Sequence, residues 1–181
     1  TFLGLATPSF WLGIMLAYLF GVRWRFLPPS GFVPLRDGLT ANLRAMVLPS
    51  VTLGLFLAAP LTRYLRTGMV AALNEDYTRT ATGKGLAESI VLLRHVLPNA
   101  LIPFVTVLGM QFGYLLGGTM VLEQVFGLPG MGRTALQGIF DRDYAIVLGV
   151  VLVVATGFVL VNILVDIVYC VLDPRVRVGG K

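Results

Sequence analysis

The sequence holds a single cysteine, Cys170, and a single histidine, His95. One cysteine excludes an internal disulfide and any cysteine-based metal cluster, and one histidine leaves too little for a zinc site or a Ser-His-Asp triad. Charge is scarce too. Only 13% of the 181 residues are Asp, Glu, Lys or Arg, against roughly 25% in an ordinary soluble domain. Apolar residues take their place: 56% are hydrophobic, 10% aromatic, and the mean hydropathy is +0.84. That content exceeds what one soluble core of this length can hide, and it is the reverse of a disordered mixture. The net charge of +5 comes from 14 Lys and Arg against 9 Asp and Glu. These basic residues are scattered between long uncharged runs and form no stripe, so no nucleic-acid partner is expected. The expected environment is a lipid bilayer.

Charge-free runs long enough for a bilayer, about 20 residues, cover Thr1–Val22, Ala45–Thr62, Val96–Leu122 and Tyr144–Val165. They place four spans at approximately 2–22, 46–72, 98–122 and 145–171, the second running on past Arg63 and Arg66 and the fourth past Asp166. Each is expected to be helical, because lipid satisfies no backbone polar group and four spans cannot close a barrel. Pro49 and Pro98 are expected in first turns, and Pro60 to kink its helix. Four crossings put eight basic residues, including Arg63, Arg66, Arg79 and Lys84, on the face of the middle loop. They leave six on the other face (Arg23, Arg25, Arg36, Arg44, Arg133 and Arg142). That bias is too small to orient the chain.

Gly109, Gly113 and Gly117 recur every four residues in the third span, leaving a groove that another helix can approach closely, within the chain or from a neighbouring subunit. Gln111 and Asn162 are polar at mid-span, suited to inter-helix hydrogen bonds or to a pathway. Asp166 is an acid within an apolar helix, one or two turns from Asp173 and Arg175. It is expected to reach the interface or pair with a neighbour. The run Gly127-Leu128-Pro129-Gly130-Met131-Gly132-Arg133-Thr134 has the spacing of a phosphate-binding loop, with Arg where Lys is required. Such a loop needs a strand before it and a magnesium-binding Asp elsewhere. Lying between two spans, it reads as a tight turn that starts a short surface helix.

The middle loop, 74–97, is the most informative segment. Asp76 is expected to cap a short helix, and Gly83 and Gly85 to end it through a left-handed exit. A second helical stretch follows from Glu88. The short element would project from the membrane, suited to a groove on another protein; a solvated helical loop is the plain alternative.

Asp76, Tyr77, Arg79, Thr80, Ala81, Lys84, Gly85 and Leu86, followed by Leu97 and Pro98, resemble the EAA loop of permease subunits of binding-protein-dependent ABC importers. Arg79 and Thr80 stand where the general motif has Glu and Ala. That form is similar to the variant found in the dipeptide, oligopeptide and nickel permease family. Other blocks resemble the same family: Pro8-Ser9-Phe10-Trp11-Leu12-Gly13, Leu97 to Pro103, Glu123-x-Val125-Phe126-x-x-Pro129-Gly130-x-Gly132, Arg142-Asp143-Tyr144 and Leu172-Asp173-Pro174-Arg175. The likeness covers essentially the whole chain and is nearest to the B-type of the two paired permeases.

The resemblance implies an all-α membrane protein with a type I ABC importer transmembrane domain. It implies one permease domain over 1–181, the carboxy-terminal part of a longer chain, with about four spans and a cytoplasmic coupling helix. The implied partners are a second, C-type permease, two ABC ATPase subunits and an extracytoplasmic substrate-binding protein. ATP and Mg would be bound by the ATPases, and this chain would be no enzyme, hold no cofactor and bind no metal. The implied location is a bacterial or archaeal plasma membrane, with the coupling loop and carboxy terminus in the cytoplasm. The implied cargo is a dipeptide or oligopeptide. Nickel, glutathione or another small solute remains open on the same fold, and an ATP-independent secondary transporter or channel is the reading from another class.

Overall fold

A computed structural model describes residues 8–172. Eight α-helices follow in order among them: α1 (Ser9–Leu16), α2 (Leu39–Leu73), α3 (Asp76–Gly83), α4 (Glu88–Val91), α5 (Leu97–Gly118), α6 (Met120–Phe126), α7 (Met131–Phe140) and α8 (Tyr144–Leu172). The described residues contain no strand. Two stretches are π-helical, Ala17–Arg23 after α1 and Leu92–Val96 between α4 and α5. By length and composition three helices can cross a membrane: Leu39–Leu73, Glu88–Gly117 and Tyr144–Cys170. The described part of the first expected span, Ser9–Arg23, is shorter, and residues 1–7 lie outside the described ones, as do Asp173 and Arg175.

Two expectations need correcting. Pro49 is not in a first turn, because α2 begins at Leu39, ten residues earlier. The charge-free run began only after Arg44, but charge marks the edge of the apolar zone and not the end of a helix. Arg44 is held inside α2 by donating from Nη2 to the Phe26 carbonyl at 2.9 Å, and Asn42 by donating to the Val33 carbonyl at 2.6 Å. Pro98, by contrast, is the second residue of α5. The third expected span, 98–122, is broken at Thr119 (φ −89°, ψ 1°), where α5 gives way to α6. The apolar run continues past the break because Leu122 is buried within the protein.

Contacts divide the described residues into two compact units. The first holds residues up to Ala59 together with Gly113–Phe158. Its core is Leu48, Leu122 and Phe126, edged by Leu16, Phe20, Leu27 and Leu53. Buried Thr52 is compatible with that core because its hydroxyl donates to the Leu48 carbonyl at 2.7 Å, which avoids an unpaired polar group. Gly13 lets α1 approach this core: a methyl there would lie 3.1 Å from Leu122 and 3.2 Å from Phe126. The long outer connection is tied to α6 by the Gly31 amide, which donates to the Phe126 carbonyl at 2.8 Å. In this unit Gly113 faces Phe158, and a methyl at Gly113 would overlap that ring.

The second unit holds Pro60–Phe112 and the residues from Val159 onward. Gly68 brings α2 against Ala100, so that a methyl at Gly68 would lie only 3.2 Å from the Ala100 carbonyl oxygen. Gly109 faces Val165 so closely that a methyl would overlap it, and the Thr106 and Tyr169 hydroxyls hydrogen-bond to each other. These glycines thus receive side chains of α8 from the same chain. Gly117, in the first unit, is looser, 3.9 Å from Val154. Overpacking a close contact costs about 1–3 kcal/mol, so Gly113→Leu should lower the thermal midpoint of the purified protein in detergent. Phe158→Ala in the same molecule should restore part of the loss, a coupling that additive effects would not give.

Candidate functional site

The segment after α2 is built as a small braced knob. Glu75 adopts an extended conformation (φ −74°, ψ 150°) and turns the chain, so that α3 starts at Asp76. Glu75, not Asp76, therefore holds the cap position, and it makes no side-chain cap bond. Asp76 lies in the first turn, where an acid is favoured by the helix dipole. The Asn74 side chain donates to the Val70 carbonyl at 2.9 Å, and the buried Thr78 hydroxyl donates to the Ala72 carbonyl at 2.7 Å, pinning α3 to the end of α2.

The inner side of α3 presents Thr78 and Ala81. Ala81 packs with Ala72, Val91 and Val96, with Met69 against them. The two alanines allow close approach, since larger side chains there would push α3 off its support. Val96 is fully buried. The π-helical stretch that carries it precedes Pro98, which has no N–H for the carbonyl four residues back. The Asn99 side chain donates to the His95 carbonyl at 2.7 Å within the same stretch. Leu97 and Pro98 are half-buried at the start of α5.

The outer side of α3 is open. Asp76, Tyr77, Arg79, Thr80, Lys84, Gly85 and Leu86 are all exposed. Tyr77 and Leu86 supply apolar area, and Arg79 and Lys84 supply positive charge. Arg79 and Asp76 are 3.9 Å apart but almost wholly solvated, so their attraction is weak and both stay available. The Lys84 amide donates to the Thr80 carbonyl at 3.1 Å and the Gly85 amide to the Thr82 carbonyl at 2.9 Å. Gly85 then leaves the helix at φ +78°, a conformation that side chains oppose and glycine accepts. An open groove of about 580 Å³ lies beside this exit, lined by residues including Leu73, Arg79, Thr82 and Leu86. Ala81 is the one residue of the α3 set on the inner side. The remaining candidates are elsewhere. Gln111 and Asn162 are half-buried in α5 and α8, and Asp166 is exposed on α8, with no ion pair among the described residues.

A family model described as "Binding-protein-dependent transport system inner membrane component" matches residues 1–178. The chain belongs to that family. Among its relatives, a Brucella abortus (strain 2308) protein named "Putative peptide transport system permease protein" is 44% identical over 97% of this chain and 56% of its own length. A Pectobacterium atrosepticum protein named "Glutathione transport system permease protein GsiC" is 43% identical over 96% of this chain and 54% of its own. The protein of that name from Escherichia coli (strain K12) is 40% identical over the same shares. The chain therefore spans just over half the length of these relatives. With three long apolar helices, it is a multi-pass membrane protein of the binding-protein-dependent family.

One residue of structural weight was not singled out by pattern alone. The Glu123 carboxylate is buried, accepts from the Thr119 hydroxyl at 3.0 Å and accepts from the Arg133 amide at 2.7 Å. It thereby joins the break between α5 and α6 to the first turn of α7. A methyl on Gly130 would overlap this carboxylate, and one on Gly132 would lie 3.1 Å from it. The glycines that suggested a phosphate loop are spaced to admit the protein's own carboxylate. The signal available in the sequence was an acid shortly before a Pro-Gly-x-Gly turn. Gly127, at φ +65°, ends α6 in the left-handed conformation.

Proposed function

We propose that this chain is the membrane-spanning permease part of an ATP-driven importer and that α3 is its coupling helix. The reading rests on the knob itself, in which an eight-residue helix is fastened on one side by Thr78 and Ala81 and presents Tyr77, Arg79, Lys84 and Leu86 on the other. A helix that relays force must be rigid at its base and free at its contact face. In this reading α3 enters a cleft on a cytoplasmic ATPase subunit. Closure of the ATPase pair, which binds the ATP and Mg, moves two such helices and rocks the spans between inward- and outward-facing states. The second helix comes from a paired C-type permease. The outer connections meet a substrate-binding protein, and the middle loop and carboxy terminus face the cytoplasm. No catalysis is assigned to the chain, and no cofactor or metal.

The cargo we propose is a short peptide, following the names of the relatives; glutathione, named for others, is the second reading. Co-purification tests the assembly. The intact permease should bring down an ATPase subunit, and recovery of the permease without one would remove the coupling role of α3. Within that complex Tyr77→Ala should weaken ATPase binding by about tenfold, the scale of an exposed aromatic anchor, measured by titrating purified ATPase onto permease in nanodiscs. Stimulation of ATPase activity by dipeptides but not glutathione, in the reconstituted assembly with its binding protein, would decide between the cargoes.

A further inference from the structure

The elbow between α7 and α8 carries an apolar rim. Phe140 is 74% exposed and Tyr144 76%, the highest values for large apolar side chains among the described residues, and Ile139 stands beside them at 58%. The rim is held firmly. The Asp143 amide donates to the Gly138 carbonyl at 2.8 Å, the Arg142 amide to the Ile139 carbonyl at 3.2 Å, and Arg142 is turned to φ +55°. Gly138 is buried against Ile146 and Val147, so α7 lies directly on the first turn of α8.

The length of α8 says at what level this rim stands. Its 29 described residues extend about 43 Å at 1.5 Å per residue. The hydrocarbon core is about 30 Å thick, and the bilayer with its headgroups about 40–45 Å. A helix matching the full thickness begins in a headgroup layer, and Tyr144 is its first residue. The charges around the elbow fit that layer. The Asp143 carboxylate accepts from the Ala145 and Ile146 amides, and that of Asp141 from the Gln137 side chain. Both acids are thus occupied within the elbow, while Arg133 and Arg142 are exposed and make no ion pair among the described residues.

We propose that this elbow is a lipid anchor, with Ile139, Phe140 and Tyr144 seated in the headgroup layer of the bilayer and the two arginines beside the lipid phosphates. Aromatic side chains favour that boundary because one end is apolar and the other wet. The turn itself, with two acids and two arginines near it, belongs outside the hydrocarbon. The anchor sets the depth at which α8 starts.

The test uses the full-length protein with its accompanying subunits, reconstituted in vesicles of phosphatidylethanolamine and phosphatidylglycerol. Native tryptophans are replaced by phenylalanine, and one is introduced as Phe140→Trp, Tyr144→Trp or, for a mid-span reference, Leu152→Trp. The first two swaps exchange one exposed aromatic for another and disturb no packing. The expected result at 140 and 144 is a shift of emission to shorter wavelength. It comes with a greater loss of intensity to lipid brominated near the glycerol end of its chains than to lipid brominated near the chain terminus, and with little loss to aqueous iodide. The reference should reverse the order of the two lipids. Strong quenching by iodide at both positions overturns the proposal by placing the rim in water. Quenching by neither agent overturns it by showing a protein cover, and dominant quenching by the deep-brominated lipid overturns it by placing the elbow in the core.

Discussion

Gly85→Val is expected to reduce coupled uptake by about tenfold or more while the protein still inserts and keeps its spans. Gly85 sits at φ +78° with no atom within 4 Å of where a side chain would begin. The substitution therefore meets no clash, and its whole effect comes from the backbone. A left-handed conformation costs an L-residue about 1–2 kcal/mol, and a β-branched one more. The chain relieves that strain by leaving α3 along another path, which displaces Lys84 and Leu86 at the end of the contact face. The measurement is uptake alongside ATP turnover in the reconstituted complex, with uptake falling relative to turnover. Gly85→Asn should retain much of the activity, since asparagine tolerates this conformation. A valine variant that transports normally would show that the exit geometry of α3 carries no coupling.

The second large effect is expected at Glu123. Removing its carboxylate leaves the part-buried Arg133 amide without its partner, leaves the Thr119 hydroxyl with the Leu115 carbonyl alone, and opens space beside Gly130. An unsatisfied donor costs about 1–3 kcal/mol, and one such donor with a void puts Glu123→Ala at roughly 2–3 kcal/mol. The thermal midpoint in detergent should fall, and protease should cut the hairpin between α6 and α7 sooner than in the parent. Glu123→Gln keeps the shape and one acceptor oxygen, so it should fall between the two. Gly130→Val attacks the same clasp from the opposite side, because a side chain there occupies the position of the carboxylate. Unchanged stability in both Glu123→Ala and Gly130→Val would mean that the hairpin is held by its apolar contacts alone.

Much of the local structure was legible before any fold was known. The paucity of charge, the long apolar runs and the Gly-x-Gly exit after a short polar helix are signals carried by neighbours in sequence, and α3 does end at Gly83 with Gly85 left-handed. The expectations that failed did so where the deciding partner is distant along the chain. Arg44 lies within α2 because the Phe26 carbonyl, 18 residues away, takes its hydrogen bond. The third span breaks at Thr119 because its hydroxyl and Glu123 serve a turn that leads into α7.

The order of residues alone settled the solvent of this protein and its helical character, because burial in lipid needs only apolar length and internally paired backbone groups. It also settled membership of a transporter family, since that likeness is written in side chains at constant spacing. Which face of α3 is free, which glycines admit a neighbouring helix and what fills the Gly130 turn were decided by tertiary contacts. Those depend on distances between residues far apart in sequence, and no periodicity along the chain encodes them.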